Sequence, residues 1–348
     1  MDFTFSEEQL LFQDSVRDFL VNEVTPERIR RGWETDSGRE EKLWSQLTEL
    51  GLVGMTVPEQ HGGLGLSEVD FVLLAQECGY VALPEPLVHT ALVAVPTLQQ
   101  LGGELADHWL PKIAAGEARV MVGLEQNVLV EDAHVADLLL LEKSGNLYAL
   151  APDQVVLRHN ESVDPSRRLF HVEIPADATP IATGSVAADL LASALDRGAV
   201  GSAAQALGLA QRMVDMSVSY SADRHQFGKP IGSFQAVKHH MANVAVRLEY
   251  ARAPVHRAAY ALAHQQECAS RAVSHAKLAA CEAANLAAKN SIQVHGAMGY
   301  TWEVDLHIFM KKAWALANTW GDAGYHKRRV ADYIFSDEAR LGAIGTFS

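Results

Sequence analysis

The chain is short of cysteine, of cations and of long apolar runs. Three cysteines, Cys78, Cys268 and Cys281, stand far apart in 348 residues. They are too few and too scattered for a disulfide framework or a zinc site, and a reducing compartment suits them. Lys and Arg number 29 against 43 Asp and Glu, a formal net charge of -14, so there is no basic stripe to neutralise a nucleic-acid backbone. No uninterrupted apolar run reaches membrane-spanning length, and the start, Met1 to Phe5, has no basic segment followed by an apolar core. A cytoplasmic protein that binds neither nucleic acid nor membrane is expected. With 48% hydrophobic and 21% charged residues, no region has the charge-rich, apolar-poor makeup of disorder, and the length suffices for a sizeable core.

Apolar periodicity organises what is present. Ser6-Glu7-Glu8-Gln9 has the form of a capping box ahead of Leu10, Leu11, Val16, Phe19 and Leu20, which predicts a helix over 6–23. Residues 28–41 are polar, and a helix over 41–51 ends at Gly51. Gly62, Gly63 and Gly65 have no strand before them and no Lys-Ser/Thr after, so they read as an interhelical turn with Ser67 capping the next helix. Helices over 67–80, 89–102 and 105–115 complete a helical first domain. Short apolar or alternating runs at 120–124, 138–142, 147–150, 155–157 and 169–174, with Ser144-Gly145-Asn146 as a turn, predict strands. Helical spacing then returns at 187–223, 234–264, 269–293 and 305–334, as in a bundle. The expectation is a mainly α protein with a small β-domain, divided as 1–117, 118–180 and 181–348.

One stretch interrupts two of the long helical patterns: Arg224-His225-Gln226-Phe227-Gly228-Lys229-Pro230-Ile231-Gly232-Ser233-Phe234-Gln235. A tight connection needs only Gly228, Pro230 and Gly232. It does not need an Arg, a Gln and a Phe in succession and a further Gln inside the next helix. An Arg fork suits phosphate oxygens, an aromatic ring suits a flat ring, and amides suit ribose or heterocycle edges. Arg224 on its own is equally a solvated cation at the favourable end of a helix dipole. Adjacent His239 and His240 point about 100° apart on a helix, so packing explains them better than a metal. No Gly-x-Ser-x-Gly supports hydrolase chemistry.

Arg224-x-Gln226-Phe227-Gly228-x-Pro230-Ile231 with Gln235 resembles the flavin-contacting segment of the acyl-CoA dehydrogenases, which reaches across a subunit boundary to the pyrophosphate and adenine side of a neighbour's FAD. Gln293-Val294-His295-Gly296-Ala297-Met298-Gly299-Tyr300 resembles that family's other FAD-binding turn, with Ala297 where a second glycine is usual. The resemblance implies the family's layout of an N-terminal helical domain, a middle β-barrel-like domain and a C-terminal four-helix bundle. It also implies cofactor contacts from Arg224, Gln226, Phe227, Gln235, Gln293 and Gly296.

The family's reaction removes a proton α to a thioester and passes a hydride from the β carbon to the flavin. Active members hold the flavin ring with a Gly/Ser/Thr-rich loop and a Trp-Ile-Thr-Asn-like strand. Here the corresponding stretch, Val122-Gly123-Leu124-Glu125-Gln126-Asn127-Val128-Leu129-Val130-Glu131-Asp132, lacks those donors. Trp320 stands where most members carry the Glu base, and Asp322 and Asp196 are the nearest carboxylates, each also explained as a helix-terminal or solvated acid. The pattern is similar to the short, β-type, non-catalytic chain of α2β2 dehydrogenases that act on steroid side-chain thioesters. FAD would then be shared at the subunit interface, and acyl-CoA would sit in the pocket of a longer catalytic partner. The alternatives are a self-sufficient homo-oligomer using Asp322 or Asp196 and a purely structural or regulatory binding subunit.

Overall fold

The computed structural model describes residues 4–337, 339–340 and 342. The expectations that rest on Met1 to Phe3 and on the end of the 181–348 segment therefore lie outside the described residues. The capping box forms as the sequence predicts: Gln9 N–H donates to Ser6 Oγ at 3.2 Å, Ser6 N–H donates to Gln9 Oε1 at 2.8 Å, and α1 (Glu7–Glu23) follows. A helix then occupies what reads in the sequence as a polar stretch. α2 (Pro26–Trp33) has Thr25 as its cap and Pro26 in its first turn, and it buries a single residue, Ile29. One buried side chain leaves no periodicity to see, which is why composition hid it. α3 (Glu41–Glu49) and α4 (Glu68–Tyr80) come next; Asp70 Oδ2 accepts the Ser67 N–H at 2.9 Å. The segment 87–101 is continuous helix made of α5 (Leu87–His89), a π turn (Thr90–Ala94) and α6 (Val95–Leu101), and α7 (Gly103–Ala114) closes this part.

Two three-stranded sheets follow. In the first, β1 (Val120–Gly123) runs parallel to β3 (Leu138–Lys143), which turns antiparallel into β4 (Asn146–Leu150), pairing Leu141 with Tyr148. In the second, β6 (Leu169–Glu173) lies between β2 (Val130–Glu131) and β5 (Val156–Asn160). Met121, Val130, Leu139, Leu141, Leu150 and Phe170 pack between them as a core of their own.

α8 (Gly184–Asp223) is 40 residues long and is the axis of the molecule; α9 (Gln235–Ala263), α10 (Ala269–His295) and α4 pack along it. The helix predicted over 305–334 is two helices, α11 (Leu306–Ala317) and α12 (Ala323–Ile334). The break falls at Trp320 (φ 55°) and Gly321 (φ 87°), left-handed backbone that no α-helix contains. Apolar spacing runs through both helices, so the sequence pattern did not mark the corner. Among the described residues no helix is long and apolar enough to cross a membrane.

Candidate functional site

The first half of the candidate site is a cleft between segment 87–101, the middle of α8 and the corner joining α11 to α12. The corner inserts the Trp320 indole into it. A β-carbon added to Gly198 on α8 would collide with that ring, so only glycine allows the close approach. His89 meets the indole edge to face at 5.3 Å. Trp320 is pinned through its backbone as well: its N–H donates to Asn127 Oδ1 at 2.7 Å, and its carbonyl accepts from His326 Nε2 at 2.9 Å. A cavity of about 50 Å³ remains beside it.

That remnant is polar at its floor. Glu85 is buried; it accepts the Glu40 N–H at 2.9 Å, while its second oxygen, Oε2, has no hydrogen-bond partner. Burial pushes the Glu85 carboxyl up to about 7, against the pull of Arg39. Buried Lys312 of α11 donates to the carbonyls of Ala82 and Leu83, and burial lowers its pKa. His89 Nε2 accepts the Val122 N–H at 2.9 Å. That role requires neutral imidazole, and burial drives the His89 pKa down to about 4. Behind the cleft, Arg39 and Asp132 form an ion pair with both side chains about 1% exposed, and Arg39 also donates to the Ser166 carbonyl. Sequence reasoning passed over Glu85, His89, Lys312 and Gly198. Only the crossing of four separate elements brings them together.

The two candidate carboxylates are engaged elsewhere. Asp196 accepts two hydrogen bonds from Arg329, at 2.5 and 3.1 Å, and one from Ser270 Oγ at 2.6 Å. Asp322 caps α12, accepting the Tyr325 N–H at 2.8 Å.

The second half lies at the far end of α8, about 40 Å along the helix from Gly198. Here the expected tight connection is a β-hairpin, β7 (His225–Gln226) paired with β8 (Lys229–Pro230). Phe227 (φ 54°) and Gly228 (φ 79°) form the two-residue turn, both left-handed as in a type I′ turn. Glycine suits such a position and a bulky aromatic does not, so the Phe227 ring is held out at a strained corner, 89% exposed. Arg224, Gln226 and, on α9, Gln235 are exposed around it. The last turn of α8 is locked to the last turn of α10 by Tyr220, which stacks on His295 at 4.3 Å. Exposed Gln293 and Gly296 (φ 60°) follow directly on that side of the bundle. The structure thus gathers Arg224, Gln226, Phe227 and Gln235 around one hairpin, sets Gln293 and Gly296 at the neighbouring helix end, and keeps all six away from Asp196 and Asp322. Among the described residues, no group of three His, Cys, Asp or Glu side chains is placed to hold a metal.

Similarity to known proteins falls along the whole chain. Residues 6–117 match the acyl-CoA dehydrogenase N-terminal domain and residues 188–335 the acyl-CoA dehydrogenase C-terminal domain. The acyl-CoA dehydrogenase IpdE2 of Mycobacterium tuberculosis is 32% identical over 308 residues, covering 88% of this chain and 91% of that protein. IpdE2 of Mycolicibacterium smegmatis is 30% identical over 331 residues, covering 95% and 100%. One chain of the ChsE4-ChsE5 complex from Mycobacterium tuberculosis superposes with a TM-score of 0.88 at 22% identity, over 97% of this chain and 100% of that one. Helical, sheet and helical parts in this order, with a full-length relative above 30% identity, place the chain in the acyl-CoA dehydrogenase family.

Proposed function

We propose that this chain is a subunit of an FAD-dependent acyl-CoA dehydrogenase that contributes contacts to the ADP side of a flavin seated in a partner chain and supplies no catalytic base of its own. Arg224 would face the diphosphate, Phe227 and Gln226 the nucleotide's flat and polar edges, and Gln235, Gln293 and Gly296 the adenosine end. FAD, when bound, supplies the hydride acceptor. The observation that carries the reading is the separation: these residues lie outward at the C-terminal end of α8, about 30–40 Å along the helix from the middle stretch that lines the cleft, Gly198 to Gln205. A dinucleotide held by the hairpin therefore has its reactive ring outside this chain's own cleft.

The cleft supports the same division. The Trp320 indole fills the space a substrate would need, Glu85, whose Oε2 is unpartnered, is buried at the floor beneath it, and Asp196 and Asp322 are occupied with Arg329 and with a helix cap. A longer catalytic chain, in an α2β2 arrangement, would hold the acyl-CoA and the base. The ChsE4-ChsE5 neighbour, a complex of two chains, favours a hetero-oligomer, and a further neighbour described as a steroid ACAD favours a steroid side-chain thioester. The working domain map is 1–117, 118–180 and 181–348, and the site of action is the cytoplasm.

The chain purified alone is expected to be colourless and inactive. Co-expression with a longer dehydrogenase chain from a neighbouring reading frame should give a yellow complex with one flavin per two chains. Arg224→Ala should strip the flavin while leaving the complex assembled. Stoichiometric flavin on a homomeric preparation, or full flavin in the Arg224→Ala complex, would overturn the reading.

A further inference from the structure

The hairpin places a second cation beside Arg224. Its register pairs Gln226 with Lys229 and His225 with Pro230, and the Ile231 N–H extends the ladder by donating to the Arg224 carbonyl at 2.8 Å. Side chains alternate between the faces of a strand, and directly paired residues share a face. Arg224, Gln226, Lys229 and Ile231 therefore lie on one face, and His225 and Pro230 on the other.

Lys229 is also held in place. Its ammonium sits 4.4 Å from the centroid of the Phe234 ring, and Phe234 packs edge-on against Phe227 at 6.1 Å. A cation resting on an aromatic face is oriented without being neutralised. Among the described residues, neither Arg224 nor Lys229 belongs to an ion pair, although the chain carries a net charge of -14. Two uncompensated cations on one face of a rigid two-residue hairpin, with an amide between them, suit a doubly charged ligand.

The geometry points to Lys229 as a second diphosphate-binding residue, positioned by Phe234, so that the flavin's diphosphate is gripped by an Arg–Lys pair rather than by Arg224 alone. This rests on the subunit reading above. Phe234 is a positioning residue in this scheme, since it acts through the lysine.

The test compares four variants of the flavin-loaded complex, Arg224→Ala, Lys229→Ala, Lys229→Arg and His225→Ala, by flavin absorbance per complex after gel filtration at rising sodium chloride. Removing one charge-assisted hydrogen bond at an exposed site weakens affinity about tenfold. Lys229→Ala is expected to weaken flavin retention by that factor and to flatten its salt dependence, because one cation fewer is screened. Lys229→Arg should restore both, and His225→Ala, on the opposite face, should change neither. Flavin loss in Arg224→Ala with wild-type retention and salt dependence in Lys229→Ala overturns the lysine assignment and leaves the subunit reading standing. Retention in both alanine variants overturns the two together. Equal loss in His225→Ala and Lys229→Ala overturns the face argument, because the hairpin as a whole would then be what matters.

Discussion

Replacing Glu85 by Gln should stabilise the protein, and more so the higher the pH. Glu85 is 5% exposed, one of its oxygens is unpartnered, and burial raises its pKa from 4.5 to about 7. A raised carboxyl pKa means that the folded state holds the proton more tightly than the unfolded chain. The stabilisation this provides is complete below about 4.5 and is lost as pH rises through about 7. The interval corresponds to about 3 kcal/mol at pH 8, when the folded protein holds a desolvated carboxylate. Gln carries no charge, and its carbonyl can still accept the Glu40 N–H. The variant should therefore differ from wild type by less than about 1 kcal/mol at pH 5 and exceed it by about 3 kcal/mol at pH 8. Spread over the unfolding entropy of a chain of this length, the gain is roughly 4 °C in melting temperature. Thermal denaturation at pH 5, 6.5 and 8, followed by circular dichroism, measures it. An equal difference at all three pH values, or a less stable variant at pH 8, would refute the argument that Glu85 is a strained buried acid.

Two further substitutions probe the packing. Gly198→Ala drives a methyl into the Trp320 ring and should cost about 1–3 kcal/mol in urea denaturation; in a Trp320→Ala background the same change should cost much less, since the clash and its partner are gone. Additive effects of the pair would show that the indole does not rest on Gly198. Arg39→Ala leaves Asp132 buried without its cation and should cost about 3–5 kcal/mol, measured by the same method; a loss below about 1 kcal/mol would mean that the pair is not dry.

Local rules account for much of what the sequence determined. A capping box is a bond between neighbours, so Ser6 and Gln9 announced α1, and Ser67 announced α4. Apolar spacing over 187–223, 234–264 and 269–293 was long enough to specify three helices of the bundle without reference to anything they touch, and alternation with turn residues placed five of the six strands of the two sheets, missing the two-residue β2, which is a strand only because it pairs with β6. The Arg-x-Gln-Phe-Gly run carried its chemistry in its residue types. What failed was whatever depends on a distant partner. α2 contributes one residue to the core, so its apolar pattern is too sparse to read although Thr25 and Pro26 start it locally, and its far end is tied by Trp33, whose Nε1 donates to Ser166 on the β side at 2.8 Å. The break between α11 and α12 exists because Trp320 turns into the cleft and is held there by Asn127 and His326, residues far from it in the chain or across a corner.

The site divides in the same way. The sequence by itself supplied the cations and amides at the end of α8, because they are consecutive and their chemistry is legible one residue at a time. Only tertiary structure decided that Lys229 shares their face, that Asp196 is already engaged with Arg329, and that Glu85 is a buried acid. Register, ion pairing and desolvation are properties of which surfaces meet. No local pattern records them, since they arise when elements separated along the chain exclude water from the same place.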